Sequence, residues 1–203
     1  LYVPTTYDAG KSYPLIVALH GLGGNEDSMV GDFYGMQPLA EAKGYIIVSP
    51  MGFRVDGGYG GGRGGVVSRN ARLSEADVMQ VLELTRGAYS IDAERIFLMG
   101  HSMGAIGTWR IAARYPDIWA GLGPIAGYGV PQTAEKISHI AQVVVHGDAD
   151  RTVPVTGSQA MVAALREAGA DIEYIEVPGG GHSDIAPANM VKIFDFFDVK
   201  RRK

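Results

Sequence analysis

Arg95-Ile-Phe-Leu-Met-Gly-His-Ser-Met-Gly-Ala-Ile-Gly-Thr-Trp-Arg-Ile-Ala-Ala-Arg-Tyr115 is the stretch that decides how this chain folds. Its first part, Arg95 to Gly100, is apolar on both alternating faces, as expected of a strand covered on both sides. Its last part, Met103 to Tyr115, carries the spacing of a helix, and Pro116 ends it. Strand and helix are separated only by Gly100-His-Ser-Met-Gly104, so the chain must turn there within a few residues. Glycine at positions 100 and 104 removes the side chains that such a turn would force together. The residue at the apex is Ser102. Its hydroxyl projects above the sheet, at a helix N-terminus that favours negative charge.

The same alternation extends in both directions. Pro14 to His20, Tyr45 to Pro50 and Gln142 to Gly147 read as further buried strands, with Gly121 to Ala126 and Asp171 to Val177 as weaker members. Helical spacing lies between them. Ser74 to Arg86 places Val78, Leu82 and Thr85 on one face, with Ser74 as its expected N-cap and Gly87 as its stop. Thr156 to Ala168, residues 186 to 200 and a shorter piece from Pro38 to Lys43 complete the set. Strand and helix alternate throughout, which predicts one α/β domain over residues 1–203 with a mostly parallel sheet flanked by helices. The segment Asp56 to Gly65 holds seven glycines and lacks the Gly-Lys-Ser/Thr ending of a phosphate loop. It is expected to be a mobile surface loop bordering a site.

Composition bounds the function. The chain has 203 residues, 46% of them hydrophobic and 20% charged, as in an ordinary globular domain. A net charge of -4 argues against a nucleic-acid binder. There is no cysteine, which excludes disulfides, thiolate metal sites and cysteine nucleophiles. No apolar run approaches the ~20 residues that a spanning helix needs. The chain opens on Leu1 and without a signal peptide, so it reads as a processed or trimmed chain, and its compartment stays open.

A serine hydroxyl needs a base, and the base needs an orienting carboxylate. Of the five histidines, His182 in Gly179-Gly-Gly-His-Ser183 lies on a loop after the last strand, where it can swing over the sheet edge. The carboxylate is expected in His146-Gly-Asp-Ala-Asp-Arg-Thr-Val-Pro154, which follows a strand. Asp150 is far enough beyond that strand to turn toward His182. Asp148 is better suited to bracing the turn, and Asp184 to a surface role. His20-Gly-Leu-Gly-Gly24 follows the first strand and can bring main-chain N–H groups close to a ligand. The N–H groups of Leu22 and Met103 are the expected oxyanion donors. Tyr128, Val130, Val153 and Pro154, all just past strand ends, are expected to line a shallow, uncharged cleft.

At these residues the sequence resembles the α/β-hydrolase superfamily. His-Gly-x-Gly-Gly, Gly-His-Ser-Met-Gly, His-Gly-x-x-Asp-x-x-Val-Pro and Gly-Gly-His occur in that family's order between residues 20 and 182. Within it, the sequence is similar to compact, lidless esterases related to feruloyl esterases, polyhydroxybutyrate-depolymerase-like proteins and prolyl-oligopeptidase-like peptidases. The resemblance implies a triad of Ser102, Asp150 and His182, an ester bound to a small molecule or a polymer as substrate, and no metal or organic cofactor. Two departures stand out. Leu1-Tyr-Val-Pro4 looks like the tail of an edge strand, so the N-terminal sheet edge is expected to be truncated. The short Gly127-Tyr-Gly-Val-Pro131 stands where relatives often carry a lid. The leading expectation is a serine carboxylic-ester hydrolase for short or aromatic acyl groups. A serine peptidase is the enzymatic alternative, and a non-catalytic binding module on the same fold is the alternative of another class.

Overall fold

A computed structural model describes residues 1–63 and 66–202. Six strands form one sheet: β1 (Tyr13–Leu19), β2 (Ile46–Val48), β5 (Ile91–His101), β6 (Gly121–Ile125), β7 (Ala141–Gly147) and β8 (Ile172–Val177). Their order is β2-β1-β5-β6-β7-β8, and every neighbouring pair is parallel. A separate two-stranded hairpin joins β3 (Gly62–Arg63) to β4 (Val66–Val67). The helices are α1 (Met36–Lys43), α2 (Arg69–Ala88), α3 (Met103–Arg114), α4 (Thr156–Glu167) and α5 (Ile185–Asp198).

The two faces of the sheet follow from the alternation along each strand. Leu15, Val17, Leu98, Leu122 and Val144 point to one side and pack under α2, α3 and α4 through Val78, Trp109, Ile111 and Leu165. Ile16, Ala18, Phe97, Met99 and Val145 point to the other and pack under α1 and α5 through Met36, Ala40, Ile193 and Phe197. This is why the strands read as continuous apolar runs rather than alternating ones. Trp109 and Trp119 are both buried core residues. Near the N-terminus, Tyr2 exchanges two main-chain hydrogen bonds with Ile47, 2.8 and 3.0 Å, as an isolated antiparallel bridge on the β2 edge.

Strand order places the site. β1 has β2 on one side and β5 on the other, so the connections leaving β1 and β5 diverge and open a crevice at their C-terminal ends. The register pairs Leu19 with Gly100, and His101 with Ile125, so the loops after β1, β5, β6 and β7 emerge along one edge.

Two sequence expectations are corrected. α2 begins at Arg69, not Ser74, and its N-cap is Ser68, whose Oγ accepts the Ala71 N–H at 3.1 Å. Polar Ser74 and Glu75 occupy the buried face of the helix and mask its apolar period in the sequence. Gly87 does not stop this helix, which continues to Ala88. The glycine-rich loop is anchored rather than mobile over its described part. Tyr59 is fully buried, its N–H donates to Ser74 Oγ at 3.1 Å, and its ring lies where a side chain at Gly107 of α3 would be. Gly57 and Gly60 let this loop touch α2, since a Cβ at either would strike Ser74 or Glu75. Gly64 and Gly65 lie outside the described residues.

The elbow itself is the tightest point. A Cβ at Gly104 would lie well inside contact distance of the Leu19 carbonyl, and one at Gly100 would strike the backbone of Gly104. Both obstacles are main chain and cannot rotate away. Gly104→Ala is therefore expected to destabilise the fold by on the order of 3 kcal/mol or more in urea denaturation. Gly87→Ala, with open space around a helical glycine, should instead stabilise it by up to ~1 kcal/mol.

Candidate active site

Ser102 adopts φ 58° and ψ -116°, a left-handed conformation that side chains rarely take. Such a residue typically costs of order 1–3 kcal/mol and persists only where its surroundings over-determine it. Here they do. The Ser102 N–H donates to the Ile125 carbonyl at 2.9 Å, and its own carbonyl accepts from Ala105 and Ile106 at 3.0 and 3.1 Å. The side chain is left facing the crevice.

The residues that the sequence singled out converge there. Ser102 Oγ lies 2.8 Å from His182 Nε2, and His182 Nδ1 lies 2.7 Å from Asp150 Oδ2. The other carboxylate oxygen of Asp150 accepts the N–H groups of Thr152 and Val153 at 2.8 and 2.9 Å. Burial pushes the Asp150 carboxyl up, but the hydrogen bonds from His182, Val153 and Thr152 outweigh it and hold it below the usual carboxylate value. An ionised Asp150 fixes His182 with its proton on Nδ1 and its Nε2 lone pair toward the serine. That arrangement can take the hydroxyl proton as the serine attacks. Among the described residues, the N–H groups of Leu22 and Met103 have no main-chain acceptor. Asp148 braces the turn, accepting the Gly179 N–H at 2.7 Å, and exposed Asp184 accepts that of Gly181 at 3.0 Å.

Two histidines of this network had no assigned role in the sequence. His101, inside the elbow, donates from Nε2 to the His182 carbonyl at 2.8 Å and accepts at Nδ1 from the Tyr34 hydroxyl at 3.0 Å. It thus ties the main chain of the His182 loop to the serine turn. Burial keeps the His101 imidazole below its ordinary pKa, and burial pushes the Tyr34 phenol up to about 12. His146 is fully buried behind the acid. Its Nε2 lies 3.2 Å from Asp150 Oδ2 and 2.9 Å from the Val153 carbonyl, and its Nδ1 lies 2.6 Å from Ser158 Oγ. The signal available in the sequence was spacing alone: His101 adjoins Ser102, and His146 ends a strand four residues before Asp150.

A cleft of about 790 Å³ opens beside Ser102, lined among others by Met103, Ile106, Arg110, Tyr128 and Val153. A smaller depression of about 390 Å³, bordered by Tyr34, His101 and His182, adjoins the serine as well. Tyr128 and Val153 are therefore where the sequence placed them. Val130 lines a neighbouring groove instead, and Pro154 lines neither; its carbonyl accepts the Gly157 N–H at the start of α4. The expectation of an uncharged cleft is overturned: Arg110 and Asp56 both line it.

This sheet and its serine elbow define the α/β-hydrolase fold. The chain belongs to the phospholipase/carboxylesterase family, whose pattern matches residues 66–200. It is 26% identical to feruloyl esterase B of Talaromyces stipitatus over 63% of its own length and 35% of that protein's. It is also 26% identical to a probable feruloyl esterase C of Aspergillus oryzae, over 91% of its length and 67% of that protein's. A crystal structure of a thermostable esterase superposes with a TM-score of 0.84 at 24% identity, covering 99% of this chain and 58% of that one. The chain spans about a third of the first curated relatives it matches, at 35%, 35% and 30% of their lengths. Among the described residues, no helix is long and apolar enough to cross a membrane.

His101 makes a pH prediction. An unfolded chain takes up a proton at this position below about pH 6.5, whereas the folded chain resists it. Stability should therefore fall as the pH drops below about 6.5, until the depressed folded-state value is passed. In urea titrations from pH 8 to pH 5, His101→Gln should flatten that fall by up to ~1.4 kcal/mol per pH unit.

Proposed function

We propose that this chain is a serine carboxylic-ester hydrolase acting through an acyl-enzyme on Ser102. The unbroken relay from Asp150 through His182 to Ser102, at 2.7 and 2.8 Å, carries the reading. Ser102 attacks the ester carbonyl, and His182 takes the hydroxyl proton and returns it to the departing alkoxide. Asp150 stays ionised and stabilises the imidazolium formed between those steps. The N–H groups of Leu22 and Met103 receive the oxyanion of each tetrahedral intermediate. Water then attacks the acyl carbonyl as His182 takes its proton, and the acid leaves as His182 passes that proton to Ser102 Oγ. Family membership and the esterase relatives support this chemistry.

The substrates we assign are short or aromatic acyl esters, as small molecules or attached to polymers. Met103, Ile106, Tyr128 and Val153 supply an apolar wall, and the cleft is open rather than a tunnel. Added methylenes therefore gain little once they extend past that wall, since about 0.8 kcal/mol per methylene requires full burial. We also take residues 1–203 as one domain, because both packed layers share a single sheet.

Ser102→Ala should abolish both hydrolysis of 4-nitrophenyl acetate and covalent labelling by a fluorophosphonate, with an unchanged fold by circular dichroism. Residual labelling at one serine would overturn the assignment. Asp150→Asn is expected to lower kcat by up to about 10⁴, the loss seen in comparable triads, whereas Asp148→Asn should act mainly on stability. Across a 4-nitrophenyl ester series, kcat/KM should decline beyond medium chain length. An aminoacyl anilide should not turn over, and efficient cleavage of one would favour the peptidase alternative.

A further inference from the structure

The helix that opens at Ser102 also carries the charge of the cleft. Met103, Ile106 and Arg110 are spaced three and four residues apart along α3, so they share one helix face, and all three line the cleft with Ser102. Arg110 is partly buried. Among the described residues it has neither an ion pair nor a hydrogen-bond partner, whereas Arg95, the other partly buried arginine, is paired with Asp92 at 2.7 Å. Arg114, one turn further along the helix, is held by buried Glu75 at 3.1 Å. The carboxylate in the cleft does not compensate Arg110, because Asp56 is already bound by Arg54 at 2.9 Å. Lys136 borders the adjoining groove that Arg110 also lines, and it too has no ion pair among the described residues. The loop makes room for the guanidinium: it lies against Gly61, where any Cβ would displace it. A chain with net charge -4 thus places in the cleft of its candidate nucleophile an arginine that no carboxylate pairs with among the described residues.

We propose that Arg110 is a specificity-determining residue that binds a carboxylate of the substrate, so that the preferred esters are half-esters or other esters bearing an anionic group several bonds from the reacting carbonyl. The proposal rests on the esterase reading and names its substrate class. Met103 and Arg110 are about 10 Å apart along the helix axis. Long helical side chains lean back toward the N-terminus, which brings the fork nearer the serine, so roughly four to six carbons would bridge the two groups. Met103 and Ile106 offer that spacer an apolar floor. The planar guanidinium offers a carboxylate two parallel N–H donors, which an ammonium cannot do.

The test compares the mono-4-nitrophenyl ester of adipic acid with 4-nitrophenyl hexanoate, and 4-acetoxybenzoate with phenyl acetate, using the whole chain. These pairs place the anion in the acyl and in the alcohol part. The wild type should prefer the anionic member of at least one pair in kcat/KM. Arg110→Gln should lower kcat/KM for that substrate at least tenfold, mainly through KM, and leave its neutral counterpart within twofold. Arg110→Lys should recover only part of the loss, and raised salt should weaken the wild-type preference but not alter the glutamine variant. No preference in either pair, or equal losses on anionic and neutral esters, would overturn the proposal. The outcomes separate from the parent reading: Ser102-dependent hydrolysis of the neutral esters without an Arg110-dependent preference sinks only this inference, whereas hydrolysis that survives Ser102→Ala sinks the esterase reading itself.

Discussion

Everything at the cleft depends on one backbone constraint, the reversal between β5 and α3 at a residue with positive φ. β5 lies in the middle of the sheet, and α3 must return across its face to bury Trp109 and Ile111. Its path passes within contact of the Leu19 carbonyl, and glycine at 104 is what lets it pass. The strain at Ser102 is held by hydrogen bonds on both sides of the turn, one to β6 and two within the helix. The packing of two layers therefore holds the serine hydroxyl in place. Little local flexibility is available there to relax it.

A second layer of control is electrostatic. Asp150 has no exposed side-chain surface, yet it remains the stronger acid because each of its oxygens receives hydrogen bonds. Burial alone pushes the carboxyl up, and the hydrogen bonds outweigh it and favour the charged form that orients His182. Two further imidazoles stand behind this pair. His146 presses on the carboxylate from the β7 side, and His101 grips the main chain of the His182 loop from the elbow. Three histidines from three separate stretches of chain thus surround one carboxylate and one serine: His182 and His146 both approach Asp150 Oδ2, and His101 holds the His182 carbonyl. This arrangement also explains why Gly-rich segments flank the site. The loop at 179–181 lies against Gly147 and Asp148 to deliver His182, and a side chain at Gly147 would strike the main chain of Gly180 and Gly181.

Much of this was legible in the chain itself. The elbow, the strand–helix alternation and the order serine, acid, histidine are local patterns, and local patterns survive without knowledge of the fold. The choice of Asp150 over Asp148 followed from distance along the chain after a strand. Boundaries were less legible where polar residues face inward. Ser74 and Glu75 interrupt the apolar period of α2, yet they are buried because Tyr59, Tyr115 and Arg114 come from elsewhere to meet them.

What the sequence by itself determined is therefore the class of fold and the candidate residues that the fold brings together, because spacing along one strand, one turn or one helix encodes them. Only the tertiary structure decided which side chains surround those groups. Tyr59 reads as a loop residue until α2 and α3 close over it. His101 reads as an elbow residue and His146 as a strand-end histidine until the loops after β7 and β8 fold back on them. Nothing in the local spacing singles out Arg110, which enters the cleft beside Gly61 while the cleft's Asp56 is bound by Arg54. In each case the missing information was a contact between residues distant in sequence. Such contacts depend on how whole layers pack, and no local spacing records them.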